Sequence, residues 1–285
     1  MSRLTLDNTA IVVDSTCDPP PGYFDGPGLA MVPLKVHFGD ETYRDGIDLS
    51  PPEFFAKLAA SPMLPTTSQP TVGEFTAVYA RLSWEYEHVF AFHLSHRMSG
   101  TYQASVTAAQ PYGGIEVYDT GTVSGTITLL VDRLRSRLAA GISLDDLHAY
   151  VEHFMAENRM LFQVPTLEYL RRGGRIGRAQ SMVGDVFGIR PIITVDGGEL
   201  VAHAKVRGER RALETMAAFL SEHTAPDDAV KLVTWSSDAD DKLPALEAAL
   251  LAARPKAEVV LHGRVGAVVG THGGPGMFAF AMIVE

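Results

Sequence analysis

Ser99 is followed by Gly100 and Thr101, a few residues after the apolar run His88 to Leu94 and before a segment with helical spacing at Tyr102, Val106 and Ala109. The run reads as a buried strand and the segment as a helix. A hydroxyl and a glycine at a helix start leave several backbone N–H groups unpaired and facing outward, beside the positive end of the helix dipole. Such a place binds anions; the alternative is that Ser99 only caps the helix. Thr66, Thr67 and Ser68 form a second hydroxyl-rich turn, between Pro65 and Pro70. The third group is His272, followed by Gly273, Gly274, Pro275 and Gly276. An imidazole on a loop, with no apolar face to fill, contacts a ligand as readily as it plays a structural part. Asp14-Ser15-Thr16 ends a first strand, Thr9 to Val13. In an open α/β sheet ligands collect there, although an Asx or Ser/Thr turn accounts for the same residues.

The elements that must position these groups follow from periodicity and capping. Leu29 to Phe38 reads as a strand, and Ser50-Pro51-Pro52-Glu53 starts a helix carrying Phe54, Phe55 and Leu58. Thr71 and Glu74 have capping-box spacing ahead of a helix with a buried stripe of Phe75, Val78, Tyr79 and Leu82. A strand at Ile115 to Tyr118 leads through Asp119 to Gly125 into a helix ending near Ala139, and a further helix spans Leu144 to about Asn158. This alternation predicts a parallel α/β domain over residues 1–160. Residues 161–285 read differently. Here a strand at Met160 to Val164 and a short helix at Thr166 to Arg171 precede a loop of Gly173, Gly174, Arg175 and Gly177. A hairpin follows, Ile189 to Val195 and Leu200 to Val206 around Asp196-Gly197-Gly198. Helices at 209–222 and 240–253 and strands at 230–235, 258–263 and 277–284 complete an α+β domain with a mixed sheet. The boundary near residue 160 is fixed only to within ten residues or more.

Composition narrows the function classes. The 285 residues carry 24 Lys and Arg against 34 Asp and Glu, net −10, which argues against general nucleic-acid binding because phosphate backbones are gripped mainly by cations. The single cysteine, Cys17, excludes an internal disulfide framework and reads as a small packing residue. With no N-terminal charged and apolar signal segment, the chain is expected in the cytoplasm. No window approaches the roughly 18 consecutive apolar residues that span a bilayer. There is no G-x-S-x-G, H-E-x-x-H or G-K-[ST] motif, and no G-x-G-x-x-G after a strand. The ten histidines do not cluster with the cysteine, so neither a metal site nor a cofactor is expected.

Five motifs, in order, resemble those of the DegV family of bacterial fatty-acid-binding proteins. They are Val12-Val13-Asp14-Ser15-Thr16, Thr67-Ser68-Gln69-Pro70, Ser99-Gly100-Thr101-Tyr102, Leu167-Glu168-Tyr169-Leu170 with Gly173-Gly174-Arg175-Ile176-Gly177, and His272 to Gly276. The resemblance spans Ile11 to Gly276. It implies two α/β domains with one long-chain fatty acid between them, its carboxylate held by Thr67 and by Ser99 at the Gly100 helix start, with His272 and Arg175 at matching positions nearby. It also implies a non-enzymatic role as carrier subunit of a fatty acid kinase. There a separate ATP-binding subunit phosphorylates the bound acid to an acyl phosphate for phospholipid synthesis. Cys17 and the bulky His96-Arg97-Met98 depart from the family's usual residues.

Hydroxyls and helix amides would orient such a carboxylate without locking it to a full counter-charge. The alkyl tail would supply most of the affinity, about 0.8 kcal/mol per buried CH₂. Candidate tunnel residues in the second domain are Met160, Phe162, Met182, Phe187, Met277 and Phe278. In the arginine cluster, Arg175 is expected to face the carboxylate, while Arg171, Arg172 and Arg178 would dock the kinase subunit or a membrane-bound acyltransferase. Two other classes compete: a hydrolase with Ser99 as nucleophile and His272 as base, and a lipid sensor with no kinase partner.

Overall fold

The computed structural model describes residues 3–182 and 188–285. In chain order the elements are β1 (Thr9–Asp14), β2 (Leu29–Val32), β3 (Lys35–Phe38), β4 (Glu41–Arg44), α1 (Pro51–Ala60), β5 (Thr66–Ser68), α2 (Val72–Glu85), β6 (His88–His93), α3 (Thr101–Ala109) and β7 (Ile115–Asp119). Then come α4 (Gly125–Ala140), α5 (Leu144–Glu157), β8 (Arg159–Gln163), α6 (Glu168–Arg172), β9 (Ile189–Asp196), β10 (Glu199–Arg207), α7 (Glu209–Glu222), β11 (Val230–Ser237), α8 (Leu243–Ala253), β12 (Glu258–Arg264), α9 (Ala267–Gly273) and β13 (Met277–Val284). Capping explains the sharpest helix starts. Ser50 with Glu53 and Thr71 with Glu74 close both bonds of a capping box, and Ser143 accepts from the Asp146 amide at 3.1 Å.

Three sheets result. A four-stranded parallel sheet runs β2-β1-β6-β7, a six-stranded mixed sheet runs β10-β9-β8-β13-β11-β12, and a small antiparallel sheet runs β4-β3-β5. The architecture is therefore mixed α/β, with a parallel N-terminal and a mixed C-terminal sheet. Alternation along the strands sorts the core. Ala10, Val12, Val89 and Ala91 face α2 and α3, whereas Ile11, Val13, Phe90 and Phe92 face a large shared core with α4 and α5. On the mixed sheet, Met160, Phe162, Ala279 and Ala281 point into that shared core, while Leu161, Phe278, Phe280 and Met282 pack under α7 and α8. Helices α4 and α5 thus lie between the two large sheets. The second sheet begins at Arg159, but two helices that precede it in the chain cover its inner face.

Three expectations need correcting. Leu29 to Phe38 is not one strand but β2 and β3, in different sheets, because Pro33 has no N–H to give a ladder. Thr66 to Ser68 is a short edge strand rather than a turn, paired antiparallel with β3 through Val36 and Thr67. The helix expected from Asp240 starts as a short 3-10 segment, Asp240–Lys242, and becomes α-helical at Leu243 with Pro244 in its first turn.

Candidate functional site

In the parallel sheet the chain passes from β1 outward to β2 on one side, while β6 pairs with β1 on the other. A crevice therefore opens outside the carboxyl ends of β1 and β6, the position where open α/β sheets bind ligands. Asp14 and His93 end those two strands and tie them together. The Asp14 carboxylate accepts from the Thr16 amide at 3.0 Å, the Thr16 hydroxyl at 2.5 Å and the Leu94 amide at 3.0 Å, and it faces His93 Nδ1 at 3.2 Å. His93 Nε2 meets Ser105 Oγ at 2.7 Å, and Ser105 meets the Tyr79 hydroxyl at 2.5 Å. These four side chains are completely buried, so the Ser-His-Asp order in space is a structural anchor. It clamps the segment carrying Ser99 onto the strand ends. Cys17 lies just beyond, also buried; desolvation and the nearby Asp14 and Asp18 carboxylates push its thiol well above the ordinary range, so it packs rather than reacts.

Four elements converge on the crevice. Thr67 on β5 meets His272 on α9, Oγ1 to Nε2, at 3.0 Å. Ser99 precedes α3, whose N-cap is Gly100 rather than Ser99 itself; Ser99 Oγ still accepts from the Thr101 amide at 3.3 Å and shares a 2.8 Å hydrogen bond with the Thr101 hydroxyl. Gly100 is where the Gln69 side chain packs, and a Cβ there would come within 2.2 Å of Gln69 Oε1. Arg175 reaches over from the loop after α6, donating through Nη1 to the Gly173 carbonyl at 2.8 Å and through Nε to the Met98 carbonyl at 3.4 Å. His272 is not on a loop, as its glycine-rich surroundings suggest, but in the last turn of α9.

The imidazole of His272 is largely buried, with Gly173 pressed against it. A Cβ on Gly173 would sit 2.1 Å from Nδ1, and Nδ1 has no hydrogen-bond partner. Burial, and secondarily the Arg175 charge, push its pKa down to about 4, so it is neutral at pH 7. Ser99 and His272 each bond other groups, Thr101 and Thr67, and no carboxylate orients His272 among the described residues. A serine hydrolase needs the nucleophile on the base and an orienting group behind it, and neither contact is present.

Behind these polar groups lies a cavity of about 290 Å³, near the lower end of the roughly 300–1,000 Å³ typical of small-molecule sites. Thr67, Ser68, Gln69, Ser99, Gly100, Arg175 and His272 line its polar end, where Gln69 and Arg175 are exposed. Buried Leu34, Leu94, Met160, Phe162, Trp235 and Met277 line much of the rest, together with buried Thr16 and Ser124, whose hydroxyls donate to Asp14 and Asp18. Of the expected tunnel residues, Met160, Phe162 and Met277 line this cavity. Phe278 does not: it neighbours Met277 on β13, so the strand alternation turns it to the opposite face under α7 and α8. Met182 is buried in the shared core but off the cavity wall, and Phe187 lies outside the described residues. Leu34, Leu94 and Trp235 also line it, though nothing in their sequence context marks them; the first two show that residues 1–160 build the apolar wall as well as the polar end.

The outer arginines are all paired with acids, Arg171 and Arg172 sharing one carboxylate. Arg171 and Arg172 both pair with Glu168, and Arg178 pairs with Asp196 and Glu199. Among the described residues no group of three or more His, Cys, Asp or Glu side chains is placed to hold a metal ion, and no helix is long and apolar enough to cross a membrane.

A family model described as "Uncharacterised protein, DegV family" matches residues 8–285. The chain belongs to the DegV family. A DegV family protein from Thermus thermophilus, whose solved structure is described as fatty acid binding, is 33% identical; the match covers 98% of this chain and 100% of that one with a TM-score of 0.92. A fatty acid-binding protein from Thermotoga maritima is 31% identical over 284 residues, 96% of this chain and 97% of the relative. A Streptococcus pneumoniae fatty acid kinase B3 protein loaded with linoleic acid has a TM-score of 0.85 over 98% of this chain and 100% of that one, and at 17% identity that likeness is one of fold.

Proposed function

We propose that this DegV protein binds one long-chain fatty acid, with its carboxylate at Thr67, Ser99, Gly100, Arg175 and His272 and its alkyl chain in the apolar cavity. The observation that carries this reading is the polarity gradient of the cavity: hydroxyls, an amide and a guanidinium at a solvent-facing end, and behind them mainly buried aliphatic, thioether and aromatic side chains, the Thr16 and Ser124 hydroxyls there being engaged by Asp14 and Asp18. An amphiphile with a small anionic head and a long tail matches both ends.

Proton inventory fits a carboxylate. A neutral His272 carries one N–H, and with that proton on Nε2 it donates to Thr67 Oγ1, 3.0 Å away. The Thr67 hydroxyl proton is then free to point at an anion. Ser99 accepts the Thr101 amide, and with the Thr101 hydroxyl donating in their shared 2.8 Å bond its own proton is available in the same way. Arg175 adds a positive charge at the mouth while its guanidinium is held by two backbone carbonyls. The tail supplies most of the binding, about 0.8 kcal/mol per methylene.

The solvent-facing head group further suggests presentation to a separate kinase subunit, which would phosphorylate the carboxylate to an acyl phosphate. Support comes from the motif resemblance and from the exposure of Gln69 and Arg175. Mixing lipid-loaded protein with a kinase subunit and ATP, then assaying acyl phosphate, tests this second step. Acyl phosphate that forms only when both proteins are present supports the carrier role; none would leave a lipid sensor or store.

A further inference from the structure

We infer that Trp235 is the end wall of the acyl cavity and sets the longest chain the protein accepts. The inference rests on the fatty-acid reading above and deepens it. Helix α9 runs along the cavity and fixes its direction: Val268, Val269, His272 and Gly273 all line it. The carboxyl end of this helix carries His272 against Thr67. Its amino end lies elsewhere, since the Gly266 amide donates to Asp18 at 2.7 Å. Six residues of helix separate Gly266 from His272, about 9 Å at 1.5 Å per residue. Trp235 belongs to the far end. Gly263, three residues before Gly266, would place a Cβ 2.8 Å from the Asp18 carbonyl and 3.3 Å from Trp235 Cβ.

The indole at that end is held rigidly. It is 1% exposed and lines the cavity, and the ring is pressed onto Gly125 at the start of α4 so closely that a Cβ there would approach it to 2.6 Å. Gly125 is brought into place by Ser124, a non-glycine residue at φ 64° and ψ −147°. Such a conformation is costly for any residue with a side chain, and here the Ser124 hydroxyl is tied to the buried Asp18 carboxylate. The side walls contrast with this. Met98, Met160 and Met277 are unbranched thioethers that can repack around a tail, whereas the Trp235 ring is backed directly by Gly125 and its Cβ by Gly263, so it cannot retreat on those sides. Width is therefore adaptable and depth is not.

The two partners of this contact can be altered in opposite directions. Trp235→Leu removes the wall, and Gly125→Ala pushes the ring toward the cavity. Binding of laurate, myristate, palmitate, stearate and arachidate to delipidated full-length protein is measured by calorimetry, with cooperative thermal unfolding as the folding control. Wild type should show a maximum in affinity along the series. Trp235→Leu should shift that maximum to longer acids and Gly125→Ala to shorter ones, with the disfavoured acids weakened by about tenfold for every two methylenes that lose their burial. If Trp235→Leu does not fold, Trp235→Phe is read in its place, with a smaller shift in the same direction. Folded variants that keep the wild-type maximum would overturn the end-wall role. Wild type that binds none of the five acids would overturn the fatty-acid reading itself, a distinguishable result.

Discussion

Thr67 and His272 are 205 positions apart in the chain and share a hydrogen bond of 3.0 Å. One sits on an edge strand of the small sheet and the other on the last helix, so the contact closes the polar end of the cavity from both ends of the sequence. Because His272 is neutral and buried, its geometry rather than its charge orients the Thr67 hydroxyl.

Removing the hydroxyls should therefore cost binding more than stability. Hydrogen bonds to a charged group contribute about 1.5–3 kcal/mol each, so Thr67→Ala and Ser99→Ala should each weaken fatty-acid binding by roughly 10- to 100-fold in calorimetry. The unfolding midpoint should stay close to wild type for partly buried Ser99→Ala and fall moderately for Thr67→Ala, which leaves the buried His272 Nε2 without its partner.

Gly173→Ala should damage the same site without touching a polar group. Its Cβ would meet His272 Nδ1 at 2.1 Å, and the imidazole, backed by α9, has to rotate away from Thr67. We expect weakened lipid binding comparable to that of Thr67→Ala. A double mutant should be little worse than either single one if both act through the same hydrogen bond.

The pH dependence has a defined sign. The folded pKa of His272 lies near 4 against an ordinary 6.5, so between these values the unfolded chain binds a proton that the native protein does not, and stability rises with pH. Relative to His272→Asn, wild type should lose about 3 kcal/mol as pH falls from 6.5 to 4. Asp45 runs the other way. Its burial raises the pKa from 3.8 to about 6, so relative to Asp45→Asn wild type should lose stability as pH rises through that window. Denaturant titrations at several pH values separate the two slopes.

Tyr79→Phe removes the outer member of the Asp14-His93-Ser105-Tyr79 chain. The hydroxyl of Ser105 loses one partner but keeps His93, so we expect a loss of about 1 kcal/mol in urea unfolding. Asp14→Ala, which strips acceptors from Thr16, Leu94 and His93, should cost several times more.

Much of this site could be read before the structure because its residues sit where local chemistry is unusual. Thr67 lies between prolines, Ser99 adjoins a helix-opening glycine, and His272 is followed by glycines, so each stands out from core periodicity. The apolar cavity was harder. Met277 and Phe278 are equally apolar neighbours, and only the pairing of β13 with β8 and β11 decides which of them faces inward. Trp235 ends an ordinary apolar strand run, and its role depends on Gly125, more than a hundred residues away, which no local pattern links to it. The arginine cluster misled in a different way. Arg178 reads as part of a positive patch, but Asp196 and Glu199 on the hairpin neutralise it in space.

Fatty-acid binding in this cavity is tested by mass spectrometry of an organic extract from the purified native protein, paired with its melting temperature on adding a long-chain fatty acid. A co-purified fatty acid is expected in wild type and lost from a folded Thr67→Ala, Ser99→Ala double mutant, and the melting temperature should rise for delipidated wild type only. No fatty acid in the extract, together with no stabilisation on addition, would contradict that binding.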